Sequence, residues 1–222
     1  MLELALWDID HTLMATGGLG RGLWAEAFQQ VTGVAMRKQA DVTGSTEQVI
    51  LRETARLHHI DWDTNLFSRF AEVLGALHVR RAAELRERGH ALPGAAAALA
   101  ALASRGMRQS VVTGNLRKAA EVKLSVFGLD TYLALSEGAY AEDGEERPGL
   151  LRTALARAGV APERAVFFGD TPADVAGGRE AGVRTVAVAT GRTPASAFRD
   201  AGADVVLDDL SGTDRVLAAV DL

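Results

Sequence analysis

From residue 109 onward the chain alternates short apolar runs with helical stretches, and that alternation restricts the fold more than anything else in the sequence. "QSVVT" (109–113), "RAVFFGD" (164–170), "RTVAVAT" (184–190) and "ADVVLDD" (203–209) are runs too short for helices, bounded by Gly, Asp and Pro, and apolar on both faces. Such runs read as strands buried on both sides. Between them, "LRKAAEVKLSVFG", "GLLRTALARAG", "PADVAGGREAG" and "PASAFRDAG" place apolar residues at helical spacing, and a last helix follows to the C-terminus. Residues 3–8 add a strand at the start, and "YLALS" (132–136) reads as one more. Strands separated by helices of this length require a parallel sheet covered on both faces. The expected class is α/β, a Rossmann-like doubly wound sheet.

The alternation is interrupted once. Between residues 15 and 88 no strand is convincing, whereas "LWAEAFQQVTG", "TEQVILRETARLHH" and "FSRFAEVLGALHVRRAAELRER" are helical. Ser45 or Thr46 suits the cap of the second, with Glu47 favourable in its first turn. Pro93 and Gly94 then open an Ala-rich helix to about Ser104. The division this predicts is a core of residues 1–14 and 89–222, with residues 15–88 inserted as an all-helical cap. There is no internal repeat and no long linker.

Bulk properties exclude several classes. A net charge of −5 over 222 residues, with no basic stripe, argues against a nucleic-acid partner. The chain has no cysteine, so thiolate chemistry and disulfides are absent. Glu3 and Asp8 come too early for a signal peptide, and the longest uncharged stretch (91–104) is too short to span a bilayer. The expected setting is the cytoplasm, without a membrane partner, as a monomer or homodimer.

Open parallel sheets bind ligands at the carboxyl ends of their strands. Three of those ends carry distinctive polar sets: Asp8-Ile9-Asp10-His11-Thr12, Thr113-Gly114-Asn115, and Gly169-Asp170-Thr171-Pro172-Ala173-Asp174. Any one alone is an ordinary turn before a helix. Together they bring Asp8, Asp10, Asp170 and Asp174 to one crevice, where the charge demands a cation. A hard divalent ion such as Mg²⁺, which takes carboxylates, waters and a substrate phosphate, suits that set.

In order, spacing and strand context these sets resemble the motifs of the haloacid dehalogenase superfamily, in its phosphatase branch with a helical cap and close to phosphoglycolate phosphatases. Asp8, Asp10 and Thr12 match its Asp-x-Asp-x-Thr, "SVVTGN" its apolar strand ending in Thr113, and Gly169, Asp170 and Asp174 its Gly-Asp-x-x-x-Asp. The resemblance implies a Mg²⁺-dependent hydrolase that removes phosphate from a small phosphorylated metabolite. Asp8 would be the nucleophile and Asp10 the general acid and base. Thr12, Thr113, the amides of Gly114 and Asn115, and Lys118 would hold substrate. Asp8, the Asp10 carbonyl, Asp170 and Asp174 would hold the metal. A phosphomutase shares this set, a phosphonate hydrolase would need Lys38 for an imine, and a weakly active regulatory member is the rival from another class.

Two positions depart from the family pattern. His11 stands where a Gly is usual, and reads as an exposed, tolerated residue. The motif's usual Lys is replaced in Glu146-Arg147-Pro148, in a chain with 21 Arg and only Lys38, Lys118 and Lys123. Arg147 is expected to supply the catalytic positive charge, with Lys118 in reserve. His58-His59 and the Arg80-Arg81 and Arg86-Arg88 charges read as helix surface. "RKQADVTGST" (37–46) reads either as a loop through which Lys38, Ser45 and Thr46 meet a leaving group or as a capping turn.

Overall fold

The computed structural model describes residues 2–221. Strands β1 (Leu4–Trp7), β4 (Arg108–Val111), β5 (Ala165–Gly169), β6 (Arg184–Val188) and β7 (Val205–Leu207) form one sheet in the order β4-β1-β5-β6-β7. Every pairing in it is parallel. The chain steps from β1 to β4 on one side and then crosses to β5 on the other, so β1 and β5 flank the point where the winding reverses. Crevices in open α/β sheets form there.

Side-chain alternation divides the core into two layers. Leu4 and Leu6 face Leu150, Leu151, Ala154 and Leu155 of α7 (Arg147–Ala158), on the side shared with α8 (Pro172–Ala181). Ala5 and Trp7 face the other way, toward α5 (Ala95–Ser104), α6 (Arg117–Val126) and α10 (Thr213–Asp221). Trp7 stacks on Phe168 with ring centroids 4.0 Å apart, and its indole donates to Gln109 Oε1 at 3.1 Å. The short α9 (Ala195–Asp200) buries Phe198 against Val175 and Ala187.

The helical block consists of α1 (Leu19–Thr32), α2 (Glu47–Leu57), α3 (Thr64–Arg80) and α4 (Ala82–Arg88). It leaves and re-enters the sheet domain through a small antiparallel pair, β2 (Met14–Ala15) with β3 (His90–Ala91), which sequence reading did not anticipate. Its apolar face meets that of α6: Leu74, Leu77 and Leu85 share one cluster with Leu116, Ala119, Ala120 and Leu124. Among the described residues no helix is long and apolar enough to cross a membrane.

Two expectations fail. "YLALS" is not a strand. The segment turns at Asp130–Leu133 and forms a 3-10 turn over Leu135–Glu137. It touches the open edge of β4 only through isolated bonds, such as Ala134 N–H to the Gln109 carbonyl at 2.8 Å and Ala139 N–H to the Val111 carbonyl at 2.9 Å. The single long helix through residue 88 is two helices. Arg81 (φ −103°, ψ 17°) interrupts it for one residue, with its guanidinium paired to Glu84 and Glu26. Apolar periodicity does not register so short a break.

Candidate active site

β1 ends by delivering Asp8, whose N–H donates to the Phe168 carbonyl of β5 at 2.9 Å. The chain then turns tightly, with the Ile9 carbonyl accepting from the N–H groups of Thr12, Leu13 and Met14. His11 sits at the bend with φ 61°, in the left-handed region that favours Gly, and its side chain is exposed. The turn sends Asp10 back over the sheet end and buries Thr12, whose Oγ1 lies 3.4 Å from Asp170 Oδ1.

Asp8, Asp170 and Asp174 are all buried, and one carboxylate oxygen of each lies within 4.8 Å of the others. Asp174 is fixed by a capping box at the start of α8: its Oδ2 accepts from the N–H and Oγ1 of Thr171 at 3.0 and 2.7 Å. Its Oδ1 is buried, has no aligned hydrogen bond and faces Arg147 Nε at 2.8 Å. Burial pushes the Asp8 carboxyl well above the usual range, a rise that Arg147 opposes and the neighbouring carboxylates add to. Burial, then the charges of Asp174 and Asp10, raise Asp170 to about 7. A donor set made only of oxygens, crowded and carrying one unaligned atom, fits a hard divalent cation.

Arg147 begins α7 and crosses the interior to this trio, with Nη1 3.8 Å from Asp8 Oδ1. Its stem lies over Gly177 of α8, where a Cβ would stand 2.7 Å from Arg147 Cγ. One of the two adjacent glycines in "VAGGREAG" is therefore the space this side chain occupies.

Beside the trio a second network forms at the end of β4. Thr113 and Asn115 are buried, and Asn115 Nδ2 donates to Thr113 Oγ1 and to Asp10 Oδ2, both at 2.7 Å. Lys123 Nζ reaches Asp10 Oδ1 and Oδ2 at 2.9 and 2.7 Å, and Asn115 Oδ1 at 2.6 Å. Burial opposes ionisation of Asp10, but Lys123 and Asn115 hold its carboxyl below the usual value. One expected phosphate contact is already spent, since Asn115 N–H donates to Thr113 Oγ1 at 3.2 Å; further along, Arg117 N–H is capped by Glu142. Gly114 N–H has no acceptor among the described residues.

Lys123 was missed as a site residue because it belongs to no motif, yet the sequence marked it. From the cap residue Leu116 into α6 the buried positions are Leu116, Ala119, Ala120, Lys123 and Leu124, and a lysine on that apolar stripe required a partner. Lys118 lies on the opposite face, 3.6 Å from Glu121, and neither it nor Lys38 lines the cavity. The reserve role for Lys118 and the imine role for Lys38 have no geometric basis.

Asp8, Asp10, Thr113, Asn115, Lys123, Arg147 and Asp170 form the floor of a cavity of about 690 Å³ roofed by the helical block. The roof includes Trp24, Glu47, Ile50, Leu74, His78 and the 39–45 loop. Ser45 therefore faces the cavity, while Thr46 caps α2 by accepting from Val49 N–H. The roof sits directly on the 113–115 loop. Glu47 N–H donates to the Gly114 carbonyl at 2.8 Å, and a Cβ on Gly114 would stand 2.3 Å from the Ser45 carbonyl. Part of Glu47 stays accessible from the cavity, but dense packing raises its carboxyl to about 7, and its other contact is the Trp24 indole. Burial lowers His78 to about 4, so its ring is neutral near pH 7. His58 is spent on the Thr54 carbonyl and Arg37 N–H, outside the cavity.

Residues 2–182 match the haloacid dehalogenase-like hydrolase family. The chain belongs to this family. Among relatives, the phosphoglycolate phosphatase of Nitrosococcus oceani is 25% identical over 213 residues, covering 94% of this chain and 93% of the relative. The phosphoglycolate phosphatase of Rhodospirillum rubrum is 36% identical over 122 residues, 54% of this chain and 49% of the relative. A solved β-phosphoglucomutase from Clostridium difficile superposes with a TM-score of 0.73 at 16% identity, over 100% of this chain and 98% of the other, and so shares the fold. Within the haloacid dehalogenase-like hydrolases this chain is a phosphoric monoester hydrolase.

Proposed function

We propose that the chain removes phosphate from a small organic phosphomonoester, with Mg²⁺, through a phosphoryl group carried transiently on Asp8. Phosphoglycolate, the substrate named for its relatives, is the first compound to test. The observation that carries this reading is the division of labour between two aspartates two residues apart. Asp8 stands among buried carboxylates with Arg147 at 3.8 Å, while Asp10 is turned away onto Lys123 and Asn115. One is a carboxylate at the reacting centre and the other a proton-transfer group beside it.

The residues present fit Mg²⁺ held by Asp8, Asp170, Asp174 and, as the family resemblance implies, the Asp10 carbonyl. When bound, the ion neutralises charge on the nucleophile and the phosphoryl oxygens. Asp8 attacks phosphorus while Asp10 hands a proton to the leaving alcohol. Asp10 then takes a proton from the water that releases phosphate from Asp8. Thr113 Oγ1 and Gly114 N–H serve the phosphoryl oxygens, and Arg147 balances the negative charge that gathers there. Residues 15–88 act as a cap that keeps bulk water from the phosphorylated aspartate. The cytoplasm is the setting proposed for this reaction.

The test is phosphate release with Mg²⁺ from a panel that includes phosphoglycolate and p-nitrophenyl phosphate. Asp8→Asn should fold normally and lose all but a trace of turnover, and exhaustive chelation should abolish activity until Mg²⁺ is returned. Substantial hydrolysis by folded Asp8→Asn would overturn the mechanism.

A further inference from the structure

Lys123 lies outside the motifs that define the family match, on the buried stripe of α6, and only 5% of it is exposed. Its ammonium has three donors and no acceptor. Those donors meet Asp10 Oδ1 at 2.9 Å, Asp10 Oδ2 at 2.7 Å and Asn115 Oδ1 at 2.6 Å. None remains for a ligand, so Lys123 is not a substrate-binding group although it lines the cavity.

The count on Asp10 is more informative. A carboxylate offers about four lone-pair sites, two on each oxygen. Lys123 takes one on each, and Asn115 Nδ2 takes a second on Oδ2 at 2.7 Å. Oδ2 is thereby filled and Oδ1 keeps one. Asn115 cannot flip to undo this, because Lys123 holds its carbonyl oxygen while its NH₂ serves Asp10 and Thr113.

We infer that Lys123 is the positioning residue for the acid–base group, fixing Asp10 so that a single lone pair on Oδ1 exchanges the proton with the leaving group and then with water. This rests on the reading of Asp10 as acid and base. In the first step the proton on Oδ1 passes to the ester oxygen as the P–O bond breaks and the bond from Asp8 to phosphorus forms. In the second step Oδ1 takes a proton from water as its oxygen attacks phosphorus and the bond to Asp8 breaks. The sum is ester plus water to alcohol plus phosphate. Lys123 keeps its three protons throughout.

A merely structural lysine and a positioning one differ in how their loss depends on the leaving group. An alkoxide needs a proton to depart, whereas p-nitrophenolate leaves without one. Lys123→Met and Lys123→Arg should be compared with the parent in single-turnover reactions on an alkyl phosphate and on p-nitrophenyl phosphate. Loss of an aligned general acid costs about 10²–10⁴-fold. The alkyl phosphate should therefore slow by at least ~100-fold in Lys123→Met, with KM nearly unchanged. Release of p-nitrophenol in the first turnover should fall far less, and a burst should follow, because the second step still needs Oδ1 as base. Lys123→Arg keeps the charge but not the point geometry, and should show the same selective loss in milder form. If Lys123→Met does not fold, the Arg variant decides. Equal loss on both substrates, or a rise in KM with the turnover rate kept, would overturn the inference while leaving the phosphatase reading intact. A parent inactive on both esters would overturn both.

Discussion

At the residue scale, Arg147 stands where the motif the sequence resembles has Lys. Its fork is divided, with Nε on Asp174 at 2.8 Å and Nη1 toward Asp8 at 3.8 Å. A lysine gathers its donors at a single point and lacks the planar fork, so it would not reproduce both contacts in this geometry. Arg147→Ala should lose at least ~100-fold in kcat, the effect of removing a charge-assisted contact to a transferring phosphoryl group. Arg147→Lys should fall between the parent and Ala, because it keeps the charge but not the planar fork. Equal kcat in the parent and Arg147→Ala would remove Arg147 from the mechanism. Gly177→Ala tests the same position indirectly. Alanine ordinarily stabilises a helix interior by about 1 kcal/mol over glycine, but here its Cβ would collide with the Arg147 stem. Activity should therefore drop even if α8 itself is strengthened. The carboxylates were legible because their spacing is local and each ends a strand. Lys123 was not, because its partners Asp10 and Asn115 are brought to it by the fold, and only its place on an apolar stripe hinted at a buried charge.

At the element scale, α2 adds a polar contact between the helical block and the core. Arg52 Nη1 meets both oxygens of Glu145 at 2.6 Å, Gln48 Nε2 reaches the same carboxylate at 3.1 Å, and Thr46 Oγ1 lies 3.4 Å from the Glu145 carbonyl. Glu145 is two residues before Arg147, so these contacts join the roof of the cavity to the loop that aims Arg147. The Arg52–Glu145 pair is about one-third exposed on each side, and pairs of that kind contribute about 0–1 kcal/mol. Glu145→Ala should accordingly leave the melting temperature nearly unchanged. It should raise KM severalfold by loosening the roof, and steady-state kinetics beside a thermal melt would separate the two effects. An unchanged KM would mean that closure does not depend on this contact. The helices and their caps were readable from periodicity and from Thr46. Which core loop α2 would grip was not, because Glu145 looks like any surface acid in a turn.

At the scale of the whole molecule, the helical block and the sheet side share one apolar cluster through α3, α4 and α6. Joining residue 14 to residue 89 would expose Leu116, Ala119, Ala120 and Leu124, so removing the block tests stability more than specificity. The break in strand–helix alternation was visible in the sequence, but not that α6 would be buried beneath the helical block. The balance of charge between roof and floor gives a subtler test. Glu47 in the roof and Asp170 in the floor both titrate near about 7, against ordinary values of 4.5 and 3.8. The folded chain therefore holds more protons than the unfolded chain in that interval. The stability this contributes is complete below the ordinary carboxylate range and is lost as pH rises through about 7. Asp10, whose carboxyl is lowered, acts in the opposite sense and only at pH below its ordinary value. In chelator the melting temperature should thus fall by roughly 10 °C between about pH 5.5 and about pH 8, at roughly 2–4 °C per kcal/mol for a chain of this size. If the trio holds Mg²⁺ as proposed, the ion binds the folded state, and added at the higher pH it should recover much of the fall. Asp170→Asn should flatten the pH dependence and abolish the recovery, whereas Glu47→Gln should flatten it but leave Mg²⁺ effective. A melting temperature insensitive to Mg²⁺ at pH 8 in the parent would mean that the trio holds no divalent ion, with Arg147 alone balancing its charge.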